Sequence, residues 1–146
     1  MADIVHVQAT YDAAMRFEVK SSAGHTVMLD KEHVAGYGPM EMLLASLASC
    51  SGISVISILQ KKQEDVTHYE VLVQGVRAET YPQVFVEINV EHIITGHHIR
   101  PASVEKAIEL AETRYCGVSI MLGKATKLMH SYRLIEAQGR FHADSY

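Results

Sequence analysis

Thiols are scarce: Cys50 and Cys116 are the two cysteines in 146 residues, 66 positions apart and in no Cys-x-x-Cys arrangement. That excludes the disulfide-dense scaffolds by which small secreted domains compensate for a thin core. Basic residues are dispersed, with 13 Lys and Arg against 17 Asp and Glu, a net charge of −4, and no run beyond Lys61-Lys62. A chain without a basic stripe cannot neutralise a phosphate backbone, so nucleic acid is not an expected partner. Internal repeats and Pro- or Ser-rich linkers are missing, and the start MADIVHVQATYDAAM has neither a basic stretch nor an apolar core of signal-peptide length. The reading is one domain over residues 1–146 with the cytoplasm as its address. Ser49 and Ser51 sit in no Gly-x-Ser-x-Gly elbow, which removes the serine hydrolases.

What is present is an ordinary globular composition, 48% hydrophobic and 21% charged. In a reducing compartment two thiols are either inert core residues or, if they meet in space, a transient redox pair. Patterning along the chain predicts short strands within Ile4–Ala9, Met15–Ser21 and Thr26–Asp30, the last two joined through Ser21-Ser22-Ala23-Gly24. Pro39 at a helix start and the cations Lys61 and Lys62 at its end bracket a long helix over Met40 to Lys62. Alternation of Tyr69, Val71 and Val73, and of Val84, Val86, Ile88 and Val90, predicts two antiparallel strands around Tyr81-Pro82. A second helix opens at Arg100-Pro101, with Val104, Ala107, Ile108, Ala111 and Tyr115 as its apolar stripe. A shorter helix follows Gly117, and Leu128 to Ile135 forms a last strand. The fold class is α+β.

The long helix is apolar on nearly every face, and Ala45, Ser46, Ala48, Ser49, Ser51 and Gly52 make one side small. Met40 to Leu59 would suit a membrane by length, but Glu41, five serines and the amphipathic strands that need a cover argue for a core helix and no membrane. A chain this small cannot enclose such a helix alone, so an obligate homodimer is expected.

The fragments G-P-M-E-M-L-L-A-S-L-A-S-C (38–50), S-V-I-S-I-L-Q-K (54–61), T-G-H-H-I (95–99) and R-Y-C-G-V-S (114–119) occur in an order that resembles the osmotically inducible protein C and organic hydroperoxide resistance family, OsmC/Ohr, over nearly the whole chain. The resemblance implies an intertwined homodimer with central cysteine-bearing helices wrapped by antiparallel sheets. It also implies a peroxidase of the oxidative-stress response, without a cofactor or metal. In it Cys50 reduces an organic hydroperoxide, Cys116 resolves the sulfenic acid into a disulfide, and a dithiol reductant reopens the bond.

A thiolate nucleophile needs a cation, and a carboxylate can orient that cation, which makes Arg16 and Glu41 the candidates. The family pattern puts the glutamate ten positions before the cysteine, which is Met40 here, and Asp12-Ala13-Ala14-Met15-Arg16 replaces its Gly-rich turn. Glu41 also suits a helix N-terminus. Glu91, His92, His97 and His98 carry metal-ligating groups, but adjacent loop histidines diverge, so no metal site is expected. Met40, Met42 and Met121 are candidates to line an apolar pocket. Gly117 would let Cys116 swing, whereas Cys50 is held rigidly. The alternative to an enzyme is a non-enzymatic dimer of the same fold that binds a small molecule or serves stress without peroxidase activity.

Overall fold

The computed structural model describes residues 2–138, and the chain divides into two compact units, Met1–Ala45 and Ser46–Tyr146. In the first unit β1 (Val7–Tyr11), β2 (Arg16–Ser21) and β3 (Thr26–Asp30) form an antiparallel meander in sequence order. β2 and β3 lie where the sequence puts them, whereas β1 starts three residues later than the expected Ile4 and runs on to Tyr11. The turn after β2 passes through Gly24 at φ 92, a left-handed conformation open to glycine without a side-chain clash.

Asp30, at the end of β3, is only 2% exposed and organises the loop that follows. Its carboxylate accepts backbone N–H bonds from Glu32 (2.9 Å), Val34 (3.1 Å) and Ala35 (2.8 Å). The Ala35 and Glu32 bonds hold its pKa below the ordinary value, aided by Val34 and the Arg16 charge and opposed by burial. A lowered folded pKa means that the carboxylate's contribution to stability is complete above the unfolded value and is lost as pH falls through the folded one. Amide exchange at Val34 and Ala35 is therefore expected to accelerate on acidification below about pH 4. Protection that persists unchanged to strong acid would contradict this.

The division between the units falls within α1 (Pro39–Lys61). In the second unit β4 (Asp65–Arg77) pairs antiparallel with β5 (Phe85–His97), and β6 (Lys127–Glu136) lies parallel to β5 on its other side. A parallel neighbour needs a crossover. It runs through α2 (Pro101–Leu110), a π-helical turn (Ala111–Tyr115) and α3 (Gly117–Gly123). The core of this unit joins Val55 and Leu59 of α1, Ile94 of β5, and Val104, Ala107, Ile108 and Ala111 of the crossover.

Three sequence expectations change. A bulge leaves Val86 unpaired between the pairs Val76–Glu87 and Arg77–Phe85. The inward phase therefore slips by one, burying Phe85 and leaving Val84 and Val86 about half exposed. Tyr115 leaves the apolar stripe and is 57% exposed, because the wider π turn rotates the chain less per residue than an α-helix does. Within one chain α1 is not buried all round: Leu47, Ser51, Val55 and Leu59 are enclosed and Ile53 is 68% exposed. By length and composition α1 could cross a membrane, but Val55 and Leu59 belong to a folded core.

Candidate functional site

Gly52, Val55 and Leu59 turn one side of α1 toward the sheet of the second unit. Gly52 lets the helix approach closely there: a Cβ in its place would lie a tight 3.3 Å from the Val71 side chain. Two residues earlier stands Cys50, half-buried. Cys116 reaches it from the crossover. The π turn ends with the Cys116 N–H on the Ala111 carbonyl at 2.9 Å, after which the backbone at Cys116 is extended and α3 begins. Cys116 is thereby the N-cap of α3, and its Sγ accepts the Ser119 N–H at 3.3 Å.

Cys50 lies near enough to act on the Cys116 thiol. Cys116 is fully buried, and that burial, with the bond to Cys50, pushes its thiol up to about 11, against the lowering effect of the Ser119 and Val118 N–H groups. At neutral pH it keeps its proton. Where the sequence suggested a Cys116 free to swing about Gly117, the residue is enclosed and capped by the Ser119 N–H.

A polar row crosses the same sheet. The Tyr69 hydroxyl lies 2.6 Å from His92 Nδ1, His92 Nε2 lies 3.1 Å from His130 Nδ1, and His130 Nε2 lies 3.2 Å from the Ser119 hydroxyl. His92 is fully enclosed, and burial, with His130 beside it, lowers its pKa to about 4; burial lowers His130 as well, against the nearby Glu112. Of the histidines that follow His92 in sequence, His98 is exposed and paired with Glu136 at 3.7 Å, and no three potential metal ligands converge among the described residues. The signal that would have found the row is the appearance of histidine twice in apolar register, Ile88-x-Val90-x-His92-x-Ile94 and Leu128-x-His130-x-Tyr132-x-Leu134.

Arg16 and Glu41 take separate partners. Arg16 Nη2 meets Asp12 at 3.4 Å, and its Nε is buried without a hydrogen bond. Glu41 Oε1 accepts the Gly38 N–H at 3.3 Å and lies 3.3 Å from His33 Nδ1. The Gly38 carbonyl accepts the first helical bond, from Met42 N–H at 2.9 Å, so Glu41 caps the Gly38 N–H at the start of α1. A groove in the second unit is lined by Ile53, Ser54, Ile58, Leu110 and Tyr115 with Lys61 and Lys62. Met121 is outside it and 73% exposed.

A helix-borne thiol held against a second thiol from the crossover of a mixed sheet defines an α+β dithiol protein. The chain belongs to the OsmC-like protein family, whose model matches residues 30–131. It is 38% identical over 124 residues to the protein YhfA of Escherichia coli, covering 84% of this chain and 92% of that one. It is similar to the crystal structure of a hypothetical protein from Aquifex aeolicus, at 28% identity and TM-score 0.86, over 94% of this chain and all of that one. The organic hydroperoxide resistance protein OhrB of Bacillus subtilis shares the fold at 14% identity and TM-score 0.61, over 90% and 98%.

Proposed function

We propose that this chain is a thiol peroxidase that reduces organic hydroperoxides in the oxidative-stress response, a single OsmC-like domain working as a cytoplasmic homodimer. What supports it is an enclosed Cys116 whose thiol is pushed up by burial and by the nearby Cys50. The Cys50 thiolate attacks the terminal peroxide oxygen, the O–O bond breaks, and the alcohol leaves with a proton, giving Cys50 sulfenic acid. Cys116 then attacks that sulfur, the S–O bond breaks, and water departs as the disulfide forms. A dithiol reductant restores both thiols by exchange. The apolar groove beginning one turn beyond Cys50 suits the carbon chain of the peroxide. In this reading Arg16 stabilises the thiolate and Glu41 orients the Arg16 guanidinium.

Homodimerisation is supported by the apolar residues that one chain leaves uncovered, among them Ile53 on α1 and Val7, Tyr11 and Phe17 on the meander. One observation favours the second reading, a dimer without peroxidase activity: Arg16 and Glu41 engage Asp12 and His33 rather than each other.

The deciding experiment supplies cumene hydroperoxide and dithiothreitol and follows peroxide loss, with peptide mass spectrometry of protein quenched before reduction. The proposal expects turnover and a linked Cys50–Cys116 peptide. No consumption with any dithiol would give the second reading precedence.

A further inference from the structure

Buried imidazoles are an unusual choice for the middle of a sheet, where an apolar side chain packs with no polar atom left to satisfy. The register explains how three rings line up. Val71 pairs with His92, and His92 with Tyr132, so Tyr69 and His130 lie one diagonal step from His92 on the same sheet face. The row so formed crosses β4, β5 and β6 and reaches a thiol-bearing element at each end. At one end the Tyr69 hydroxyl lies beneath α1, 4.0 Å from where a Cβ on Gly52 would stand, two residues beyond Cys50. At the other, Ser119 of α3 is 1% exposed and bonded twice, its hydroxyl to His130 and its N–H to Cys116 Sγ.

We propose that Tyr69, His92 and His130 are positioning residues: a hydrogen-bonded strut that fixes Ser119, and through the Ser119 N–H the Cys116 sulfur, in one relation to Cys50 on α1. Both nitrogens of His92 are engaged, one by the Tyr69 hydroxyl and the other by His130. Both nitrogens of His130 are engaged as well, by His92 and by the Ser119 hydroxyl. Hydrogen bonds are directional, so two on opposite edges of a ring fix its torsion where a leucine would only fill the volume. The successive rings are close to parallel, at 22° and 14°. Ser119 is thereby tied to the sheet by its side chain while its backbone N–H points at the sulfur three residues earlier. The first bond of α3, from Ile120 N–H to the Cys116 carbonyl at 3.0 Å, holds the other side of the same turn. What the row transmits is position, not a proton.

The inference rests on the reading of Cys50 and Cys116 as a redox pair, but not on a peroxide as the oxidant. Disulfide closure within one chain is governed by the effective concentration of the second thiol at the first, which a misplacement of about 1 Å can lower about 10²-fold. Untying Ser119 from the sheet frees the first turn of α3 and with it Cys116, whose extended backbone separates that turn from the π turn. An apolar residue in place of His130 therefore keeps the core filled but loosens the pair.

The test equilibrates the full chain in glutathione buffers and measures the Cys50–Cys116 disulfide by mass spectrometry after an acid quench. Cys50 thiolate attacks glutathione disulfide and one glutathione leaves as thiolate; Cys116 then attacks the Cys50 sulfur, the mixed disulfide breaks and the second glutathione leaves. The equilibrium constant is the effective concentration of the pair. His130→Leu and Ser119→Ala are each expected to lower it about tenfold or more. The double variant should lower it no further, since each change breaks the same link. His130→Gln, whose amide reaches the Ser119 hydroxyl as Nε2 does, is expected to recover most of the loss. Leu59→Ala removes a fully buried side chain from α1 while sparing every bond of the row, and should leave the constant within about twofold, which separates positioning from lost stability. Ser119→Ala deletes a single oxygen and carries the test should His130→Leu fail to fold. An unmoved constant in Ser119→Ala, or an equal loss in Leu59→Ala, would overturn the strut. Hydroperoxide turnover with an unmoved constant removes this inference alone, whereas a lowered constant in a protein that consumes no hydroperoxide removes the peroxidase reading alone. Absence of any Cys50–Cys116 disulfide in the unmutated protein removes both.

Discussion

Cys50→Ser is expected to abolish consumption of an organic hydroperoxide even in a single turnover, while Cys116→Ser retains one stoichiometric turnover and leaves a sulfenic acid on Cys50 that dimedone traps. The asymmetry follows from the environments of the two sulfurs. Cys50 is half-buried on α1 beside small residues, where a peroxide has access. Cys116 is fully enclosed and held protonated by burial and by its bond to Cys50, so it is poorly suited to the first attack and well placed for the second. Loss of a nucleophile lowers turnover by about 10³-fold or more, well beyond the effect of any neighbouring substitution. Equal loss in the two variants in the single-turnover assay would overturn the assignment of roles.

Leu59→Ala is expected to cost about 3 kcal/mol, within the range for removing a fully buried leucine without collapse of the cavity. Leu59 is 0% exposed in the cluster with Val55, Ile94, Val104 and Ala107, elements that arrive from three parts of the chain and cannot all close on the gap. Against a total stability of about 5–15 kcal/mol that loss is large, and urea denaturation would show a lower midpoint at an unchanged slope. Ile53→Asp is the contrasting variant on the same helix. Ile53 is 68% exposed in one chain, so the charge should leave the folded chain stable while shifting sedimentation toward the 16.2 kDa species. A shift in stability for Ile53→Asp with no change in mass would argue against the dimer.

The strands and helices were legible because alternation and the 3.6-residue period depend on local burial, and they match within a few residues from β1 to β6. Direction and partnership were not. Leu128 to Ile135 reads as a strand whichever neighbour it has, and its parallel place beside β5 depends on the length and packing of the crossover. The π turn was invisible because one wider turn has no residue signature, yet it moved Tyr115 outward and set Cys116 inward. The meeting of the cysteines could not be drawn from a separation of 66 residues; the family resemblance carried that expectation. Glu41 was readable as a cap from Gly-Pro-x-Glu alone. The histidine row was readable only as two polar exceptions in apolar rails, since pairing across strands is what turns exceptions into a chain.

The parallel pairing of β6 with β5 also orders events in time. β4 and β5 are neighbours in sequence and can zip from their connecting turn, but β6 joins only after some thirty residues of crossover have been laid down, a long loop closure that slows this step. Cys116 travels in that crossover. A nascent or partly folded chain therefore carries Cys50 on α1 with no thiol fixed opposite it, and the pair comes into register only when the last strand docks. If the proposed Cys50–Cys116 disulfide forms, its formation would report completed assembly, and chains stalled before that point would be recovered as mixed disulfides with small thiols instead.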